Sequence, residues 1–161
     1  MKVIKKQSNS KMCLICGLEN ESGVKAPFYE MEDKTVVTIF EYKEIHQSYP
    51  GRVHGGMISC LLDELVGRAI WIEEPHVWGV TMTLNVKFRK PVPYNTKIKG
   101  VGRIINSKPR HFEGTGEIYD MDGNLLASAE ACYMKLPLSK IASSNHEDVN
   151  VYQEDNVTEI E

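Results

Sequence analysis

The hydrophobic period of this chain changes once, at Pro75, and that change leaves few folds open to it. Ahead of Pro75, apolar side chains fall at positions 58, 61, 62, 65, 66, 69 and 70. That is the i, i+3, i+4, i+7 spacing of a helix with one buried face. Gly55-Gly56 opens this stretch, and Glu73-Glu74-Pro75 closes it, where the proline has no N–H with which to continue. Beyond Pro75, Val80, Met82, Leu84, Val86 and Phe88 alternate with Gly79, Thr81, Thr83, Asn85 and Lys87. A period of 2 predicts a half-buried strand with those five apolar residues on one face. Pro91 and Pro93 make a corner, after which TKIKGVGRIINS, RHFEGTGEIYD and NLLASAEACYMK read as three further strands. Turns at Lys108-Pro109 and Met121-Asp122-Gly123 join them. In the last of these, Ala127, Ala129 and Ala131 share a face, which lets something broad lie close to the sheet. Before the helix, APFYEME and TVVTIFEY are two more strand-like runs, divided by Asp33-Lys34. One helix among so many strands excludes a series of α/β crossovers. The prediction is an α+β domain, one antiparallel sheet wrapped around one long helix.

At 161 residues the chain fits a single domain. Residues 1–20 read as an N-terminal loop carrying a C-x-x-C, residues 21–138 as the folded domain, and residues 139–161 as an acidic, disordered tail. The net charge of −3 conceals a segregation along the chain. The last 21 residues hold six acids and no Lys or Arg, whereas residues 1–11 hold four Lys and no acid. Between them, residues 75–112 carry eight cations and no carboxylate: Lys87, Arg89, Lys90, Lys97, Lys99, Arg103, Lys108 and Arg110. As a set these suit an anionic ligand. The mildly acidic total argues against a dedicated nucleic-acid binder. No apolar stretch approaches the ~18 residues that span a bilayer, and the basic start MKVIKKQSNSK has no apolar run behind it. The expected setting is cytoplasmic, with no membrane partner. Cys60 and Cys132 lie in apolar runs and read as small buried hydrophobes. Cys13 and Cys16 form a C-x-x-C, the spacing of half a zinc knuckle, but no second C-x-x-C or H-x-x-x-H follows, so free thiols are expected and no metal.

The helix carries the candidate chemistry. At ~100° per residue, Asp63 shares a stripe with Gly56 and Gly67 opposite the apolar face, and Glu64 points ~100° away from it. Glycines beside a carboxylate suit close approach of a backbone or ligand. At the helix start, the first N–H groups have no internal partners and sit at the positive end of the dipole. With Gly55 and Gly56 there, a carbonyl oxygen has room to reach those donors. Asp63, two turns on, is placed to serve as general base or nucleophile. His54 reads as the residue that caps or anchors the turn. No G-x-S-x-G and no Cys–His nucleophile pair is present.

The segment HQSYPGRVHGGMISCLLDELVGRAIW, followed by GVTMTLNVKFRKPVP, resembles the hotdog-fold acyl-CoA thioesterases of the phenylacetate-degradation (PaaI-like) type. The resemblance covers about residues 13–136 and includes the opening CLICGLENESGVKAPFYE. It implies that Asp63 is the catalytic carboxylate, that the Gly55 N–H binds the thioester carbonyl, and that Thr81 assists the water or carboxylate. Many relatives carry an Asn where this chain has Ser48, so Gln47 is the substitute candidate for that contact. Gln47, Ser48, His54, Gly56, Arg89 and Lys90 are the expected substrate-binding residues. The family also implies a homodimer or a homotetramer built from it, with active sites between the helix of one subunit and the strands of the other. No cofactor is implied. The expected function is hydrolysis of an acyl-CoA thioester to a free acid and CoA. The alternative is a non-catalytic acyl-CoA sensor, although no helix-turn-helix is present to carry a signal to DNA. A hotdog dehydratase would need His54 and Glu64 to converge, which the angular offset of Glu64 opposes. Met57, Trp71, Trp78 and Met82 are candidates for setting pocket depth.

Overall fold

A computed structural model describes every residue except 144, 145 and 153. Its strands are β1 (Val3–Lys6), β2 (Tyr29–Met31), β3 (Val36–Glu41), β4 (Gln47–Tyr49), β5 (Arg52–Val53), β6 (Trp78–Phe88), β7 (Lys97–Ser107), β8 (His111–Asp120) and β9 (Leu125–Leu136). The long helix, α1, spans Gly55–Ala69 and tightens into a 3₁₀ turn over Ile70–Ile72 before Pro75. Seven strands form one antiparallel sheet in the order β1-β2-β3-β7-β8-β9-β6, and β4 and β5 form a small separate hairpin. This is the α+β architecture expected from the period change, with α1 laid across the large sheet against β3, β6, β7, β8 and β9.

Small side chains set how close the helix lies. Leu61, Leu62 and Leu65 are fully buried in one cluster with Ala127 and Ala129 of β9, and Ala131 packs with Val66 and Ile70. Burying each leucine stabilises the fold by about 1.5–3 kcal/mol. Four glycines on β7 and β8 complete the bed. A Cβ at Gly102 would stand 2.4 Å from the Leu65 carbonyl oxygen, and one at Gly114 would stand 2.7 Å from a Val66 methyl. The helix backbone therefore rests nearly on the sheet, a contact only glycine permits.

The ends of the chain depart from expectation. The segment read as an N-terminal loop contributes β1, which pairs with β2. The acidic tail, expected to be disordered, forms a 3₁₀ turn at His146–Val149 and bridges back at Asn9–Val151 and Lys2–Glu159. Ile160 is buried among Tyr29, Met31, Val37 and Val101. Charge explains the docking. Lys6 pairs with Asp155 at 2.8 Å, and the Lys99 ammonium donates to the Glu161 carbonyl at 2.9 Å. Of the four N-terminal lysines, Lys6 is the one that pairs with a tail carboxylate among the described residues.

A second departure lies in β6. A bulge at Met82 shifts its register on β9, so that Thr81 opposes Tyr133 and Thr83 opposes Cys132. A bulge reverses which residues face each side of a sheet. Leu84 and Val86 pack on the core as predicted, but Val80 and Met82 are exposed. Thr81 instead turns inward toward α1. The unbroken alternation read from the sequence thus fails at the position that matters most for the site.

Candidate active site

Asp63 sits midway along α1, half-buried, beside the β6 bulge. The Thr81 hydroxyl donates to its Oδ1 at 2.8 Å. The Tyr133 hydroxyl lies 2.9 Å from the same oxygen and 2.8 Å from the Asp63 backbone carbonyl, so its one proton is shared between them. Burial, with Asp63 alongside, pushes the Tyr133 phenol well above its usual range, which keeps it a proton donor. Two hydroxyls on one carboxylate oxygen fix the group's orientation and leave Oδ2 outside this pair of hydrogen bonds.

Tyr133 went unremarked in the sequence, yet a signal for it exists. The alternation that puts Ala127, Ala129 and Ala131 on the helix face places residue 133 there too. Its ring stacks on Phe112, with centroids 4.9 Å apart and planes 9° apart. The glycines make room for that ring. A Cβ at Gly67 would lie 3.4 Å from it, and one at Gly79 would lie 3.1 Å from it. The stripe of Asp63 and Gly67 therefore faces β6 and β9 of its own chain, which corrects the expectation, drawn from its place opposite the apolar face, that it faces away from the chain's own core.

Gly55 lies at the other end of a different cleft. It shares a cavity of about 350 Å³ with Ser48, Arg52, Phe88, Arg89 and Lys90. The Asp63 cleft, about 170 Å³, is lined by Cys13, Trp71, Trp78, Thr81 and Tyr133 among others. Trp71 and Trp78 meet edge to face at 4.6 Å, whereas Met57 packs on the core and Met82 stands outward on the bulge. Gly55 and Asp63 are eight residues apart on one helix, or about 12 Å at 1.5 Å per residue. A single chain does not bring its Gly55 and its Asp63 onto one carbonyl.

The remaining expected residues divide. His54 is the N-cap of α1, and its Nδ1 accepts the Gly56 N–H at 2.9 Å. Gly56 thereby spends its donor within the turn, and the Gly55 N–H stays among the first-turn donors that no helical carbonyl reaches. Ser48 lines the Gly55 cleft and Gln47 does not. Behind them His46 is buried, with Nδ1 accepting from the Lys43 N–H at 3.0 Å and Nε2 donating to the Ser22 carbonyl at 2.9 Å. It positions the hairpin and takes no part in the cleft.

The eight cations do not make one patch. Arg103 pairs with Glu117 at 2.7 Å and Lys99 is taken by the C-terminus. Arg89 and Lys90 do converge on the Gly55 cleft, and Arg52, which lies outside the run of eight, joins them there with no carboxylate on its lining. Glu64, the acid beside Asp63, is occupied by Arg68 at 2.7 Å and by the Cys13 thiol at 3.8 Å. A His54–Glu64 pair is therefore not formed.

Comparison with known proteins bears on this arrangement. Residues 50–127 match the family model described as Thioesterase superfamily. The acyl-coenzyme A thioesterase THEM4 of Rattus norvegicus is 32% identical over 91 residues, covering 55% of this chain and 35% of that protein. A crystal structure of a thioesterase superfamily protein superposes with a TM-score of 0.70 at 25% identity, over 76% of this chain and 63% of its own. A Bacillus halodurans protein solved with CoA superposes with a TM-score of 0.60 at 24% identity, over 68% of this chain and 72% of its own. This chain spans about a third of the length of the curated relatives it matches. Among the described residues, no helix is long and apolar enough to cross a membrane.

Proposed function

From the premise that the chain carries a thioesterase-superfamily domain with the hotdog fold, we propose that it hydrolyses acyl-CoA thioesters to a carboxylic acid and CoA. The observation that carries this reading is the carboxylate of Asp63 held by two hydroxyls at the mouth of a cleft. Asp63 takes a proton from water as the water oxygen attacks the thioester carbonyl carbon. The oxyanion that forms accepts the Gly55 N–H at the positive end of α1, a kind of contact worth about 3–4 kcal/mol in hydrolases. Collapse of the adduct breaks the C–S bond, and the departing thiolate recovers the proton from Asp63. The test is thiol release from a panel of acyl-CoA substrates of differing chain length and aromaticity. Tight binding of every member with no thiol release would replace hydrolysis with a sensor role.

The ~12 Å between Gly55 and Asp63 makes the reading dimeric. A carbonyl held by Gly55 is attacked with the help of the partner subunit's Asp63. One feature supports the pairing. β6 ends the large sheet, runs for 11 residues and exposes Val80, Met82 and Phe88. A long apolar edge strand is an open template for another strand. Val80→Asp with Met82→Asp is expected to turn the dimer into monomers by light scattering and to abolish turnover. Monomers of full activity would remove the shared site.

The three cations around the Gly55 cleft are the proposed contacts for the phosphates of CoA. Arg89→Gln with Lys90→Gln is expected to raise KM about tenfold with little change in kcat, and to flatten the dependence of KM on salt. An unchanged KM at low salt would assign the phosphates elsewhere.

A further inference from the structure

We propose that Cys13 and Cys16 form a thiol–disulfide exchange site for low-molecular-weight disulfides, with Cys13 as the attacking sulfur and Cys16 as the resolving one. The inference stands apart from the hydrolytic reading, because its readout is the state of the sulfurs.

Local geometry brings the two together. The Gly17 N–H donates to the Cys13 carbonyl at 2.8 Å, closing a single helix-like turn over Cys13–Gly17. Residues three apart on such a turn have Cβ atoms about 5–6 Å apart, close enough for a modest backbone adjustment to join them. The turn is held tight. A Cβ at Gly17 would fall 2.3 Å from the Cys13 carbonyl oxygen, and buried Asn9 donates to the Cys16 carbonyl at 2.7 Å. The two sulfurs and a Glu64 oxygen all lie within 4.8 Å of one another. Backbone N–H groups point at both sulfurs, from Ile15 to Cys13 at 3.4 Å and from Ser10 to Cys16 at 3.3 Å.

The two cysteines are not equivalent. Cys13 lines the cleft that holds Asp63, and Cys16 is 1% exposed. The nearby Cys16 side chain, its sulfur within 4.8 Å, outweighs burial and the Glu64 charge and brings the Cys13 thiol down to about 7. The same pairing, with burial, pushes the Cys16 thiol up. A reachable thiolate backed by a buried thiol is the asymmetry that exchange requires. A metal fits the cluster less well. Only three donors gather among the described residues where tetrahedral zinc takes four, and the buried Arg68 guanidinium already neutralises Glu64 at 2.7 Å.

The chemistry balances. The Cys13 thiolate attacks one sulfur of a disulfide RSSR, forming Cys13–S–S–R and releasing RS⁻. Cys16 then gives up its proton and attacks the Cys13 sulfur, releasing a second RS⁻. Two protein thiols are oxidised to one disulfide, RSSR is reduced to two RSH, and the two thiol protons end on them.

The test equilibrates the full-length protein in glutathione buffers of rising oxidised fraction, then alkylates it under denaturing conditions and weighs it. The expected result is loss of two alkylation sites in wild type, mapped to Cys13 and Cys16, with Cys60 and Cys132 still alkylated. Cys16→Ser is expected to trap one glutathione on Cys13, and Cys13→Ser to leave residue 16 unmodified. Four alkylated thiols in wild type at every ratio would overturn the proposal, and that measurement needs no variant to fold. One zinc retained per chain through purification, with protection of both thiols, would overturn it in favour of a metal site.

Discussion

Asp63→Asn is expected to lower kcat for acyl-CoA hydrolysis by about 100- to 10,000-fold while the protein stays folded. The carboxamide has the shape of the carboxylate. Its oxygen can keep the hydrogen bonds that Thr81 and Tyr133 donate to Oδ1. What it loses is at the other position, where an NH₂ group replaces Oδ2 and can neither accept a proton from water nor attack a carbonyl. The loss therefore belongs in kcat, with KM nearly unchanged, because nothing in the Gly55 cleft is touched. Circular dichroism and thermal unfolding establish that the fold persists. Steady-state thiol release gives the rate. A variant retaining more than a tenth of wild-type kcat would show that the carboxylate does not carry the chemistry.

How far such a site can be read from sequence depends on which residues are tied to a period. The central helix is legible because seven apolar positions repeat on one face, and Leu61, Leu62 and Leu65 are buried as that pattern requires. Asp63 is legible from its place on the same wheel. Its partners are less so. Thr81 reaches Asp63 only because Met82 forms a bulge, and a bulge leaves no mark in a strictly alternating pattern. Tyr133 follows from the parity of β9, but only once the alanine face is known to meet the helix. The ends of the chain mislead for a different reason. Polar, charged sequence at both termini reads as solvated, and the pairing of Lys6 with Asp155 exists only after the fold brings residues 149 apart in sequence together.

Arg68 shows the same limit with larger energetic consequence, and its removal is expected to be the most destabilising single change to a polar residue in the helix. Spacing puts Arg68 seven residues after Leu61, on the buried side of the helix, without naming its partners, and its side chain is 5% exposed. Nε donates to Glu64 at 2.7 Å, and Nη1 donates to the Ser8 carbonyl at 2.9 Å. The guanidinium carbon stands 4.4 Å from the Phe28 ring centroid and 5.0 Å from that of Trp71. The N-terminal segment thus closes over α1 around one buried charge. Arg68→Ala strips the Glu64 carboxylate of its charged partner and the Ser8 carbonyl of its donor, and opens space beneath two aromatic rings. Breaking a buried pair from one side costs about 3–5 kcal/mol, which lowers Tm by roughly 10 °C in a chain of this size. Replacing both partners separates the charge from the packing. Arg68→Met with Glu64→Leu removes the unpaired carboxylate and refills the volume, so most of the lost stability should return. The Ser8 carbonyl still lacks its donor, so recovery stops short of wild type. A Tm for Arg68→Ala within 2 °C of wild type, outside the ~6–20 °C range these costs imply, would mean that the guanidinium does not hold the N-terminal segment to the helix.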